Sequence, residues 1–212
     1  MYSPEYLKRI RELCDRYKVH LIADEIAVGF GRTGSFFACE QAGIWPDMLC
    51  LSKGITAGYL PLSVVMTTDR IYSAFYDTDI ARGFLHSHSY TGNPLACRAA
   101  LASLELFRLH DVINQNRIIS GKINLALESL KQHFCVRHFR NRGMIWAFDA
   151  VMTPEKQATF PRRFFETALK HELLMRPIGN TVYLMPPYIL NDTDIEQLTE
   201  KTITVFNEVI QA

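Results

Sequence analysis

Net charge is almost absent from this sequence. Lysine and arginine total 23 against 22 aspartate and glutamate in 212 residues, a balance of +1, which argues against a nucleic-acid or anionic-membrane role resting on bulk electrostatics. The basic residues that do cluster, Arg137 to Arg142 and Arg162-Arg163, read as solvated faces. Paired cysteines are missing too. Cys14, Cys39, Cys50, Cys97 and Cys135 form no CxxC pair, and an odd number without a secretory leader predicts reduced thiols, small core residues of a cytoplasmic protein. No apolar run approaches the ~18 residues of a membrane span, and there is no internal repeat or low-complexity segment. Apolar residues are plentiful, 48% against 21% charged, which is enough to build one large domain, or one domain and part of another.

The stretch Asp47 to Gly58 organises the rest. It reads as a short apolar strand that stops at Ser52-Lys53-Gly54, leaving an amine at the carboxyl end of a strand, where open α/β sheets keep their ligands. Upstream, His20-Leu21-Ile22-Ala23-Asp24-Glu25-Ile26 is a second apolar strand running into a carboxylate, and parallel pairing would bring both ends to one rim. Ser3-Pro4-Glu5 opens a helix with a hydroxyl cap, a proline and an acid. Its Leu7, Ile10, Leu13, Cys14 and Tyr17 share one face, predicted to cover a sheet. Gly29-Phe30-Gly31-Arg32-Thr33-Gly34 has the glycines of a dinucleotide loop but neither follows the strand directly nor opens a helix, which weakens a nucleotide-binding role.

After Lys53 the spacing predicts a strand over 62–68 and a helix over 69–76. Asn93-Pro94 caps a helix to about Leu109 that is apolar nearly all round and expected to be buried. Hydroxyls and N–H groups at such a start suit a phosphate. His86 and His88 could alternate as metal ligands, but no third or fourth ligand stands at the usual spacing. From residue 118 the pattern gives a helix, a strand over 143–148, a helix opened by Pro161 with Phe164, Phe165, Ala168 and Leu169 inward, a strand over 181–185 and a final helix from Asp192. A smaller α+β domain therefore begins near residue 115. Arg176, next to Pro177 and in apolar company, is expected to be buried, either pairing with a core acid or gripping a carboxylate with two hydrogen bonds.

An acid, a strand-end lysine, a phosphate-like helix start and a buried arginine together suit pyridoxal 5′-phosphate. That cofactor needs an amine to carry it, a carboxylate beside its pyridine nitrogen and donors for its phosphate. The motifs Leu21 to Ile26, Gly29 to Gly34, Ser52-Lys53-Gly54 and Gly92-Asn93-Pro94-Leu95-Ala96-Cys97 resemble those of the class III, or omega, aminotransferases of fold type I, from about Met1 to the C-terminus. Within the family, Cys50 to Gly54, His86 to Pro94, Arg176-Pro177 and Tyr183-Leu184-Met185-Pro186-Pro187-Tyr188 are most similar to a biotin-biosynthesis branch. That branch transfers the amino group of S-adenosylmethionine to 8-amino-7-oxononanoate, giving 7,8-diaminononanoate.

The resemblance implies an α/β fold. Residues 1–115 would be the C-terminal part of a large parallel-sheet domain that binds pyridoxal phosphate, and residues 116–212 a small α+β domain. It implies that Lys53 carries the cofactor and shuttles the proton, that Asp24 holds the pyridine nitrogen, and that Ile26, two residues on and pointing the same way, packs beneath the ring. Ser89 and the His88 backbone would contact phosphate across a homodimer interface. Ser87 would lie near the substrate, Arg176 would grip its carboxylate, and Arg32 would either line the substrate pocket or serve structurally. The family's stacking aromatic ring, Gly-Ser phosphate loop and several strands come from a segment preceding the one that matches Ser3, so the isolated chain is expected to be incomplete and to expose sheet edges and an apolar face. Two alternatives stay open. One is another omega-aminotransferase, acting on ornithine, 4-aminobutyrate or a diamine, and the other is a non-catalytic remnant serving as an interaction module.

Overall fold

A computed structural model describes residues 1–211. It divides into two compact units, Tyr2–Ile113 and Asn114 onward. Each holds a three-stranded sheet.

In the first unit, helix α1 (Pro4–Tyr17) begins where Ser3 Oγ accepts the Tyr6 N–H and ends at Lys18, whose left-handed backbone closes the last turn. α1 packs chiefly on a 3₁₀ turn, Ala38–Ala42, with its apolar face no more than half-buried. Strand β1 (Ile22–Asp24) pairs in parallel with β2 (Met48–Leu51), setting Asp24 opposite Cys50. β3 (Val64–Thr67) pairs with β2 antiparallel. A purely parallel sheet would need a helical crossover, and the connection from Ser52 to Ser63 holds only the 3₁₀ turn Lys53–Thr56.

A short helix α2 (Asp69–Ser73) follows, and then α3 (Pro94–Leu109). α3 was expected to be buried all round. It buries Ala96, Ala100 and Ser103 and leaves Leu95, Leu101, Leu106 and Leu109 exposed. The core of this unit is correspondingly small, Phe30, Leu49, Leu51, Ile55 and Ala100 with Phe36, Phe37 and Phe107 against it. An apolar groove of about 790 Å³, lined by Met48, Val65, Tyr72, Phe75 and Phe84 among others, lies open beside the sheet.

Asp47 ties this unit together. Its carboxylate accepts the Leu21 N–H and the Arg11 guanidinium at 2.8 Å each, with His20 and Arg70 at 3.5 Å. The Leu21 N–H first, then Arg11, outweigh burial and hold the carboxyl well below the usual range. Stability from such a depressed carboxyl is complete above its unfolded value, near 4, and is lost as pH falls toward the folded one. D47N should therefore cost about 1.5–3 kcal/mol at pH 7 and less than half of that at pH 2, where the unfolded carboxyl is protonated and the folded one is still largely ionised. Denaturant titrations at both pH values check it, and equal losses at both would contradict the assignment.

The second unit has the larger core. Helix α4 (Val112–Ala126) and a turn of helix, α5 (Glu128–Lys131), lead to β4 (Val136–Arg142), β5 (Ile145–Ala150), the short α6 (Pro154–Gln157), α7 (Phe160–Lys170), β6 (Thr181–Leu184) and α8 (Asp192–Gln211). The sheet order is β4-β5-β6, all antiparallel. Trp146, Phe148, Phe160, Phe164 and Phe206 are fully buried together. Of the four α7 residues expected inward, Phe164 and Ala168 are buried and Leu169 is exposed, because an α-helical stripe this narrow follows Phe160, Phe164 and Ala168.

Arg137 to Arg142, expected as a merely solvated face, is strand β4. As an edge strand it carries charge on its open side, and Arg140 and His138 reach Asp149 on β5 at 3.2 and 2.9 Å. No described helix is long and apolar enough to cross a membrane. The five cysteines are unpaired; only Cys39 is buried, and Cys97 is exposed, contrary to a uniform core role.

Candidate active site

The parallel pairing of β1 and β2 places two chemically active side chains at one end of the first sheet. Asp24 is the last residue of β1. Lys53 follows β2 by two residues and opens the 3₁₀ turn. Both are exposed. Asp24 Oδ1 accepts the Ile26 N–H at 3.0 Å, which turns the chain immediately after the strand. Ile26 thus sits in a turn, half-buried, and strand alternation does not decide where it points. Lys53 has a backbone φ of +43°, a region that costs an unbranched residue on the order of 1–2 kcal/mol. Its side chain makes no hydrogen bond or ion pair among the described residues.

Three contacts fix the lysine turn. Ser103 Oγ donates to the Gly54 carbonyl at 3.2 Å, Ser52 Oγ to that of Leu62 at 2.7 Å, and Thr56 Oγ1 to that of Leu60 at 2.6 Å. Gly54 touches Phe30 so closely that an added Cβ would stand 2.8 Å from the Phe30 Cβ. The glycine-rich loop is therefore a wedge against the lysine turn. Arg32 lies half-buried within it.

Sequence reasoning passed over Glu25. It is 3% exposed and its carboxylate accepts the Ala38 and Cys39 N–H groups at 2.6 and 2.7 Å. Burial pushes the neighbouring Cys39 thiol up to about 12, with Glu25 adding to it. The available signal was Gly29 four residues on. Its N–H donates to the Glu25 carbonyl, and a Cβ there would stand 2.9 Å from that oxygen.

Ser87, His88 and Ser89 lie in an exposed loop before α3 that is not a strand, so alternating metal ligation has no frame there. His88 Nδ1 accepts the Tyr90 N–H and the His88 N–H donates to Thr91. Among the described residues no cluster of three or more His, Cys, Asp or Glu forms a metal site. The α3 start is capped by its own Asn93, which accepts the Leu95 and Ala96 N–H groups, so those two donors are already engaged.

Arg176 belongs to the second unit. It is exposed rather than buried, because the flanking Leu173, Met175 and Pro177 take the inward positions and turn it out. It lines a cavity of about 410 Å³ with Leu174, Tyr183, Met185 and Pro186, and it makes no ion pair among the described residues.

Residues 1–206 match a family described as aminotransferase class III. The chain is 44% identical over 214 residues to the adenosylmethionine-8-amino-7-oxononanoate aminotransferase of Helicobacter pylori, covering 99% of this chain and 49% of that protein. The crystal structure of the enzyme of that name from Methanocaldococcus jannaschii superposes with a TM-score of 0.88 at 35% identity, over 96% of this chain and 49% of that one. An amine transaminase from an uncultivated Pseudomonas species in its PLP-bound form gives 0.87 at 33%, over 97% and 48%. The chain spans about half the length of the curated relatives it matches.

Proposed function

The chain belongs to the class III aminotransferases, and from that membership we propose that it carries the lysine-bearing part of a biotin-biosynthesis aminotransferase, using pyridoxal 5′-phosphate to move the amino group of S-adenosylmethionine to 8-amino-7-oxononanoate. The observation that carries the proposal is the placement of an exposed amine at Lys53 and an exposed carboxylate at Asp24 at the ends of adjacent parallel strands. Those groups fit the cofactor, one as its attachment point and the other as partner of its ring nitrogen. When bound, pyridoxal phosphate supplies an electron sink for the carbon that loses its proton.

Lys53 Nζ would hold the cofactor and would serve as the group that takes up and returns the proton. The Phe30 contact with Gly54 and the hydrogen bonds of Ser52, Thr56 and Ser103 support its turn against the backbone strain there. Asp24 would partner the ring nitrogen, and Ile26 would supply an apolar contact to the ring. Ser89 and the His88 backbone supply phosphate donors, in a homodimer from the partner's side. Ser87 leaves room for substrate. Arg176, with its apolar neighbours Leu174, Tyr183 and Met185, suits a carboxylate at the end of an aliphatic chain; Arg32 lines the substrate pocket. The 1–115 segment acts as the C-terminal part of the large domain and residues 116–212 as the small one, in the cytoplasm.

A second reading is favoured by the open apolar groove and the exposed leucines of α3: this unit works covered by further polypeptide, and alone serves only as an interaction module. Amino transfer is to be assayed for the chain alone and co-expressed with the other half of the Helicobacter pylori relative, with S-adenosylmethionine, ornithine and 4-aminobutyrate as donors side by side. Transfer from S-adenosylmethionine to the oxononanoate in the complemented protein supports the proposal. Preference for ornithine or 4-aminobutyrate would overturn the substrate assignment, and no transfer in either preparation, with no pyridoxal phosphate retained on equilibrium dialysis, would leave only the interaction module.

A further inference from the structure

The buried carboxylate of Glu25 has no part in the chemistry above, yet the first unit is built around it. Its own N–H donates to the Cys50 carbonyl at 3.0 Å, extending the β1–β2 pairing by one bond and fixing its backbone to the strand that leads to Lys53. Its two carboxylate oxygens each take one backbone N–H, Ala38 and Cys39, across thirteen and fourteen residues. Its carbonyl takes the Gly29 N–H, so both ends of the loop from 25 to 39 close on one residue. Inside that closed loop Phe30 is 3% exposed and held at φ +54°, with Phe36 and Phe37 packed edge-on to it. Gly31 donates to the Phe36 carbonyl. Phe30 then bears directly on Gly54, beside the strained Lys53.

From this connected set we infer that Glu25 is a positioning residue for Lys53, clamping the loop whose Phe30 sets the lysine turn relative to Asp24. The inference rests on the aminotransferase reading for its functional meaning. The mechanical coupling it asserts is independent of any ligand.

The test is amide hydrogen exchange on the full chain, wild type against E25Q, whose amide nitrogen cannot accept one of the two N–H groups. Exchange is expected to quicken about tenfold or more at Ala38 and Cys39 and, some fifteen residues further along the chain, at Ile55, Ala57 and Gly58, with β2 and α3 unchanged. L49A, which weakens the same small core without touching the clamp, should quicken the whole unit instead. Wild-type protection at 55–58 in E25Q, or a uniform rise like that of L49A, would overturn the inference. Should E25Q not fold, F30L serves: it should loosen 55–58 while leaving Ala38 and Cys39 protected, and unchanged exchange at 55–58 would be equally fatal. In parallel, chain reduced with borohydride in the presence of pyridoxal phosphate should lose about tenfold of its Lys53 label in E25Q, with the seven other lysines unaffected. Absence of Lys53 label in the wild type would remove the aminotransferase reading and leave the exchange result to decide the coupling.

Discussion

K53A is expected to abolish covalent retention of pyridoxal phosphate by the chain complemented with its relative's other half, and with it amino transfer. Loss of the proton carrier alone is worth a factor of about 10²–10⁴, and loss of the attachment point adds to it. K53R keeps the positive charge but presents a guanidinium that stays protonated, so it should fail as completely. The structure makes these variants clean to interpret. Among the described residues the Lys53 side chain has no partner whose loss would unfold the turn, and alanine relieves little of the strain at φ +43°. Folding should therefore survive. A K53A protein that kept more than a tenth of wild-type turnover would show that the proton moves through another group.

W146A should be the most damaging change to stability. Trp146 is fully buried on β5, between Asn141 of β4 and Leu184 of β6, and its Nε1 donates to Asn124 Oδ1 at 2.7 Å. Removing a buried indole costs about 3–5 kcal/mol, against a total of about 5–15 kcal/mol for a typical domain. Asn124 then loses its donor. W146F keeps most of the apolar area and should lose about 1–3 kcal/mol for the missing bond. Circular dichroism in urea, which does not depend on the missing tryptophan, reads both. A W146A chain within 1 kcal/mol of wild type would mean that this core is not what holds the second unit together.

How much of this was legible in the sequence follows from how local each signal is. Ser3-Pro4 and Asn93-Pro94 mark the starts of α1 and α3 because caps and prolines act within one turn. The strand ends at Asp24 and Leu51 were readable because apolar runs stop there abruptly. Strand β4 was not, since an edge strand bearing Arg137, Arg140 and Arg142 has no apolar alternation. The roles of Glu25 and Asp47 were invisible for a different reason: their partners are backbone N–H groups 13 and 26 residues away, which no side-chain pattern encodes. Arg176 was misread as buried because composition could not say which of Leu173 to Pro177 turned inward. The exposure of the α3 leucines belongs to the same class, since apolar content reports what a helix could bury and only the packing decides what it does bury.

The most direct measurement is the position of the covalent label. The protein, alone and complemented, is mixed with pyridoxal phosphate, reduced with borohydride and mapped by peptide mass spectrometry, for wild type and D24N. The account predicts label concentrated on Lys53 over the other seven lysines, with retention of the cofactor weakened in D24N. Label spread over exposed lysines, with Lys53 no richer than Lys8 or Lys170, would contradict it.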